Sequence, residues 1–238
     1  MISEKQFIFN FNFFWNSLLP TSSLFLTKIN EDLYERRFEY LQSPITGRRR
    51  SFISFISFQL FTLASKQAIQ LIDYEYDDYK LIEGQFISQF SEIEEDDLEL
   101  TAPLEIHEYF EALSLANRLQ AYFSTVSNGN QVLTNPFFKG CGFLNNCIGD
   151  VIVNETLYEI KMVNRNFRIS DCKQILTYCA LNYVSKQYKL NKVALFNPRS
   201  GKLATFNIDD FCLTLSGKSS TFLFGEIIEY VSGGGISR

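Results

Sequence analysis

Two carboxylates and an amine stand close together in the segment Gly149-Asp150-Val151-Ile152-Val153-Asn154-Glu155-Thr156-Leu157-Tyr158-Glu159-Ile160-Lys161. Two β-rich runs flank Asn154-Glu155, which reads as a two-residue hairpin turn. A tight turn there pairs Val153 with Thr156, Ile152 with Leu157 and Val151 with Tyr158. The same register brings Asp150 opposite Glu159. Opposed residues have Cβ atoms about 5 Å apart, and like charges placed so destabilise a sheet. A cation between them removes the conflict, and hard oxygen donors suit Mg²⁺ or Mn²⁺. Lys161 follows Glu159 at the strand period, so it shares that face, while Tyr158 and Ile160 point into a core. The acids would hold a divalent ion, with the Ile160 carbonyl as a third ligand. Such an ion lowers the pKa of a bound water and offsets charge at phosphorus. Lys161 would orient the attacking water or stabilise the developing negative charge. The chemistry implied is cleavage of a phosphodiester. A Glu-x-Lys strand also occurs as ordinary solvated charge, and spacing alone leaves both readings open.

The elements around this segment follow from periodicity. Phe7, Phe9, Phe11 and Phe13 alternate with other residues, which predicts an early strand. Residues 28–41 are mixed and helical in part. Pro44, Gly47 and Arg48-Arg49-Arg50 read as a turn with a basic cluster. A buried helix is expected from Ser51 to about Ile72; its Ser54, Ser57, Gln59 and Thr62 make it too short and too polar to span a membrane. Acidic runs at Asp73–Asp78 and Glu92–Glu99 lead to Pro103, where a soft boundary divides an N-terminal accessory region, 1–103, from a second region, 104–238. A helix is expected from Leu104 to Phe123, with Leu115, Leu119 and Tyr122 on its apolar face. Next come two short strands within 150–163, a helix from Asp171 to Lys186 capped by Ser170, and strands at 192–196 and 202–208. A last helix covers 219–230, and Gly233-Gly234-Gly235 begins a loose tail.

Asp150, then Glu159-Ile160-Lys161, then a helix carrying Gln174 and Tyr178 resembles the PD-(D/E)XK nucleases. More closely it is similar to the branch with a Gln-x-x-x-Tyr motif after the metal-binding strands. Residues four apart share a helix face, so Gln174 and Tyr178 can reach one site. The resemblance covers about 104–208 in the order helix, strand, strand with Glu-x-Lys, helix, strand. It implies an α/β, restriction-endonuclease-like core: a central mixed sheet flanked by helices. It implies Mg²⁺-dependent hydrolysis of DNA, less often RNA, in restriction, repair, recombination or antiphage defence. It also implies substrate contact and positioning by Gln174 and Tyr178. Many members use an acid on the first helix; Glu108 and Glu111 both qualify, with Glu111 favoured. The sequence departs from the motif in one place, with Gly149 where the pattern has proline.

Arg165, Arg168 and Lys173 make a basic stretch near Lys161 that reads either as a phosphate-tracking surface or as a solvated loop. Arg199 is a weaker candidate of the same kind. The formal net charge of −5 is unusual for a nucleic-acid binder. It leaves room for an alternative, a nuclease-like subunit that binds without cutting inside a larger assembly, and for an effector gated by a partner protein. The Phe-rich region 1–103 would serve substrate or partner recognition, and its composition fits a protein-contact surface as well as a compact core. Five cysteines without a CxxC pair, and His107 as the single histidine, argue against a zinc site and a disulfide framework. Reduced thiols and the lack of a basic, cleavable leader fit a cytoplasmic protein without a membrane segment. The Gly217-Lys218-Ser219-Ser220 run lacks the earlier glycine of a phosphate loop.

Overall fold

The computed structural model describes residues 1–45, 47, 49–91 and 102–234. Arg48, the acidic run Glu92–Glu99 and Gly235 lie outside the described residues. The chain is α/β, with a mixed six-stranded sheet flanked by helices on both faces. Its strands are β1 (Glu35–Arg36), β2 (Leu133–Thr134), β5 (Val151–Val153), β6 (Thr156–Ile160), β7 (Lys192–Asn197) and β8 (Lys202–Asn207). Their order is β1-β8-β7-β6-β5-β2. Only β6 and β7 run parallel; the other neighbours are antiparallel. Strands β3 (Phe137–Phe138) and β4 (Cys147–Ile148) form a separate small sheet.

The central strands bury both faces, so their residues divide by parity between two cores. Ile152, Leu157, Val193 and Leu195 face one core; Val151, Val153, Tyr158, Ile160, Ala194 and Phe196 face the other. The first core is closed by α1 (Glu4–Asn10), α2 (Asn12–Leu18), α3 (Ser22–Glu31), α7 (Ile169–Ser185), α8 (Ile208–Ser216) and α9 (Ser220–Glu229). The second is closed by α4 (Arg49–Gln67), α5 (Tyr76–Ser91) and α6 (Ile106–Ser127).

The boundary expected at 103 does not separate two cores. Phe7, Trp15, Phe25 and Ile29 pack with the α7–α9 layer, Phe52, Ile56 and Leu60 pack with α6, and β1 extends the sheet beside β8. The described residues of 1–103 therefore supply part of both helical layers and one edge strand instead of an appended accessory body.

The strand expected over Phe7–Phe13 is two short helices. Ser3 Oγ accepts from the Gln6 amide at 3.2 Å while Gln6 Oε1 accepts from the Ser3 amide at 2.9 Å, a capping box that starts α1. The chain breaks at Phe11 and restarts, which buries Phe7 and Trp15 and turns Phe9 and Phe13 outward. Alternating phenylalanines fit this pattern as well as a strand, because a short helix can also hide two residues and show the next two. The partial helix expected over 28–41 is the end of α3, which starts earlier, at Ser22, and is followed by strand β1. Helices α5 and α8 fall where the sequence reading places none; each opens with paired acids, Asp77-Asp78 and Asp209-Asp210, which suit a helix N-terminus. Helix α7 is capped at Arg168, whose amide donates to Asp171 Oδ2 at 2.9 Å; Ser170 lies inside the first turn and is not the cap. Among the described residues, no helix is long and apolar enough to cross a membrane.

Candidate active site

The turn at Asn154-Glu155 is tight, with φ of 48° and 62°. Both central residues at positive φ is the arrangement whose twist matches the flanking strands. Asn154 is held there by side-chain bonds to the end of α6 and the loop after it, Nδ2 donating to the Val126 carbonyl at 2.7 Å and Oδ1 accepting from Asn130 at 2.8 Å. The register is Val153 with Thr156, Ile152 with Leu157 and Val151 with Tyr158, as the sequence predicts. Asp150 lies one step beyond the paired residues, and its Oδ2 accepts from the Ile160 amide at 2.6 Å. The Asp150 side chain thus crosses to β6 beside Glu159. Gly149, in the place of the motif's proline, has no room for a side chain without pressing on Phe138, whose ring a Cβ would approach to 3.0 Å.

Glu159 shares the parity of Leu157, so its carboxylate faces α7 and α1. Lys161 continues the strand course, its amide donating to the Phe196 carbonyl at 2.8 Å. Its ammonium lies 2.5 Å from Glu159 Oε1 and 2.9 Å from Gln174 Oε1. Gln174 Nε2 then donates to the Tyr178 hydroxyl at 2.9 Å. That hydroxyl has two acceptors for its one proton, Glu4 Oε2 at 2.8 Å and the Ile148 carbonyl at 3.0 Å. The Tyr178 ring is stacked on Phe138. Asp150, Glu159, Lys161, Gln174 and Tyr178 are therefore brought together. Ile160 shares only its backbone with the site, since its side chain lies in the opposite core.

Glu111 is not brought there. It projects from α6 on the other side of the sheet, with Oε1 2.7 Å from an Arg199 guanidinium nitrogen. Both are buried, and the contact is an ion pair without hydrogen-bond alignment. Glu108 is also engaged elsewhere, 2.6 Å from Arg49. The third acid is Glu4, which sequence reasoning missed. Helix α1 lays it over α7 from the far end of the chain, and no local spacing signals that contact. The Ser3–Gln6 capping box, which places an acid in a helical first turn, was the one local hint.

Of the basic residues, Arg165 grips both oxygens of Asp171 at 2.8 and 2.9 Å and lines a cavity beside the site. Arg168 is exposed at the α7 cap. Lys173 points inward instead of toward a phosphate path. It is 5 % exposed, over the Trp15 ring, with Nζ 3.4 Å from the Ile8 carbonyl, and burial lowers its pKa. Arg199 is wholly buried, its Nε donating to the Met162 carbonyl at 3.1 Å.

Three carboxylates beside one ammonium leave the site with excess negative charge, and their proton affinities reflect it. Burial and then Asp150 push Glu159 well above the ordinary carboxylate range, against the charge and hydrogen bond of Lys161. Burial also raises Asp150, against Lys161 and the Ile160 amide. Burial pushes Glu4 up to about 7, opposed by the Tyr178 hydrogen bond and Lys161 and reinforced by Asp150. Burial works against the Lys161 ammonium, but Glu159, Asp150 and Asp171 outweigh it and hold its pKa above the usual lysine value. Glu159 Oε2 is buried with no hydrogen-bond partner. A carboxylate oxygen left without a partner in an over-acidic pocket suits a hard cation as one of its ligands. As arranged, no three His, Cys, Asp or Glu residues among those described converge closely enough to hold a metal together. Asp150 and Glu159, with the Ile160 carbonyl, are the residues that would do so. A larger cavity, about 450 Å³, lies at the other end of α7 against Lys186 and Asn182, away from these acids. No protein-family model, curated protein or solved structure matches the chain.

Proposed function

We infer that the chain is a divalent-metal-dependent nuclease of the PD-(D/E)XK kind, with a restriction-endonuclease-like core, hydrolysing phosphodiester bonds of nucleic acid and most readily DNA. One observation carries the reading: Asp150 reaches across a hairpin to the strand that bears Glu159, whose Oε1 is held by Lys161 and whose Oε2 is buried without a partner. Asp150 and Glu159 would hold Mg²⁺ or Mn²⁺, with the Ile160 carbonyl. Bound there, the ion supplies Lewis acidity and a more acidic water.

The chain's own residues do the rest. Lys161 stays an ammonium under the charge of Glu159, Asp150 and Asp171, so it presents positive charge where the phosphoryl oxygens become more negative. Gln174 fixes the Lys161 ammonium from one side, and Tyr178 fixes Gln174, so that the amine is aimed before substrate arrives. In the hydrolysis a water oxygen bonds to phosphorus and one bridging P–O bond breaks. The water gives up a proton to solvent, and the departing oxygen takes one up.

The test is incubation of the purified protein with plasmid, linear duplex and single-stranded substrates in Mg²⁺, Mn²⁺ or chelator. Cleavage should require metal and disappear in Asp150→Ala. Cleavage at the wild-type rate in Asp150→Ala, or cleavage that persists in chelator, refutes the assignment. A second reading, a nuclease-like subunit that binds nucleic acid without cutting, is favoured by the absence of a converged three-acid group among the described residues. Calorimetry with Mn²⁺ separates the two: no heat of binding at millimolar metal supports the subunit.

A further inference from the structure

The approach to the site is narrow. Lys161 and Gln174 line a cavity of about 290 Å³ that lies between α1 and the start of α7. Cavities that enclose a small ligand begin at about 300 Å³, so this one is of a size to take a single nucleotide unit. The cavity is not lined by Glu159, which is 1 % exposed and is bonded to Lys161, a lining residue. Its roof is fastened: Glu4 is bonded to Tyr178, Ile8 is buried, and Lys173 reaches the Ile8 carbonyl. Lys161 is the lining residue that a phosphodiester entering this cavity would meet.

Two residues of α1 at this cavity point out of the fold. Lys5 is exposed. Phe9 is 56 % exposed and belongs to neither core. A phenyl ring and an ammonium at the rim of a slot that already holds an amine match the way unpaired strands are bound. Bases stack on aromatic rings, and cations track the backbone. A paired base cannot stack so without leaving its helix.

We propose that this site takes an unpaired nucleic-acid strand, with a base stacked on Phe9, a phosphate beside Lys5 and the scissile phosphodiester carried inward to Lys161. The proposal rests on the nuclease reading and narrows its substrate class. Fluorescence anisotropy tests it, in chelator so that nothing is cut, with labelled dT and U oligomers of about a dozen nucleotides and a blunt duplex of similar charge per strand. Either oligomer, or both, should bind more tightly than the duplex. Phe9→Ala should weaken oligomer binding about tenfold, Phe9→Trp should retain it, and Lys5→Ala should lower the salt dependence by about 0.7 in log–log slope. Phe222→Ala, which removes another exposed phenyl ring on α9, should change nothing. Duplex binding as tight as the oligomers, or Phe9→Ala binding like the wild type, overturns the proposal. If duplex is nonetheless cut in Mn²⁺, the nuclease reading stands without it. If no probe is bound and none is cut, both fall.

Discussion

Glu4 makes the candidate site testable without any substrate. Its pKa is pushed from the ordinary 4.5 to about 7, chiefly by burial. A carboxyl raised in this way binds its proton more tightly in the folded chain than in the unfolded one. Between pH 4.5 and 7 the folded state therefore holds more protons, and stability falls as pH rises through that window. At about 1.4 kcal/mol per pH unit, the loss assignable to Glu4 is about 3 kcal/mol, complete above pH 7. Glu4→Gln keeps an oxygen to accept from Tyr178 but cannot ionise. Urea denaturation at intervals from pH 4.5 to 8, in chelator, should show wild type and variant converging at the acid end. At pH 8 the variant should be more stable by about 3 kcal/mol. Glu159 and Asp150 are raised in the same direction, so both proteins lose stability with pH, and the difference between them reports Glu4 together with its repulsion of those acids. Parallel curves across the whole range would refute the placement of Glu4 against Tyr178 and the buried acids. Repeating the series with Mg²⁺ should shrink the gap, because a cation at the neighbouring carboxylates lowers the cost of a third negative charge.

Asp150→Ala should reduce metal-dependent cleavage to background while the far-ultraviolet circular dichroism stays native, and native activity would remove Asp150 from the site. Lys161→Ala should lower turnover by about 10²- to 10³-fold with divalent affinity little changed; an equal loss of Mn²⁺ binding by calorimetry would show that the amine acts only by holding Glu159 in place. Glu111→Gln breaks a buried ion pair with Arg199, so it should cost about 3–5 kcal/mol in urea denaturation yet leave cleavage per folded molecule intact. Loss of cleavage without loss of stability would return Glu111 to the catalytic set.

The local part of the site is written in consecutive residues. The opposition of Asp150 to the Glu159 strand follows from a strand period of two and a two-residue turn. The common face of Gln174 and Tyr178 follows from the helical repeat in the same way. The parity that sends Tyr158 and Ile160 to one core and Glu159 to the other was also legible. Which distant elements close over that hairpin follows from the packing of the whole chain. The third acid comes from α1, at the opposite end of the chain, and Glu111 is turned to the far side of the sheet by the packing of α6 on its other face. Lys173 and Arg165, close neighbours in sequence, part company because α1 and α2 cover one and leave the other at a cavity. Short-range periodicity fixes where a side chain leaves its own strand or helix. The side chain it meets there depends on which apolar faces bury one another, and hydrophobic burial is non-directional, so it leaves no spacing to read.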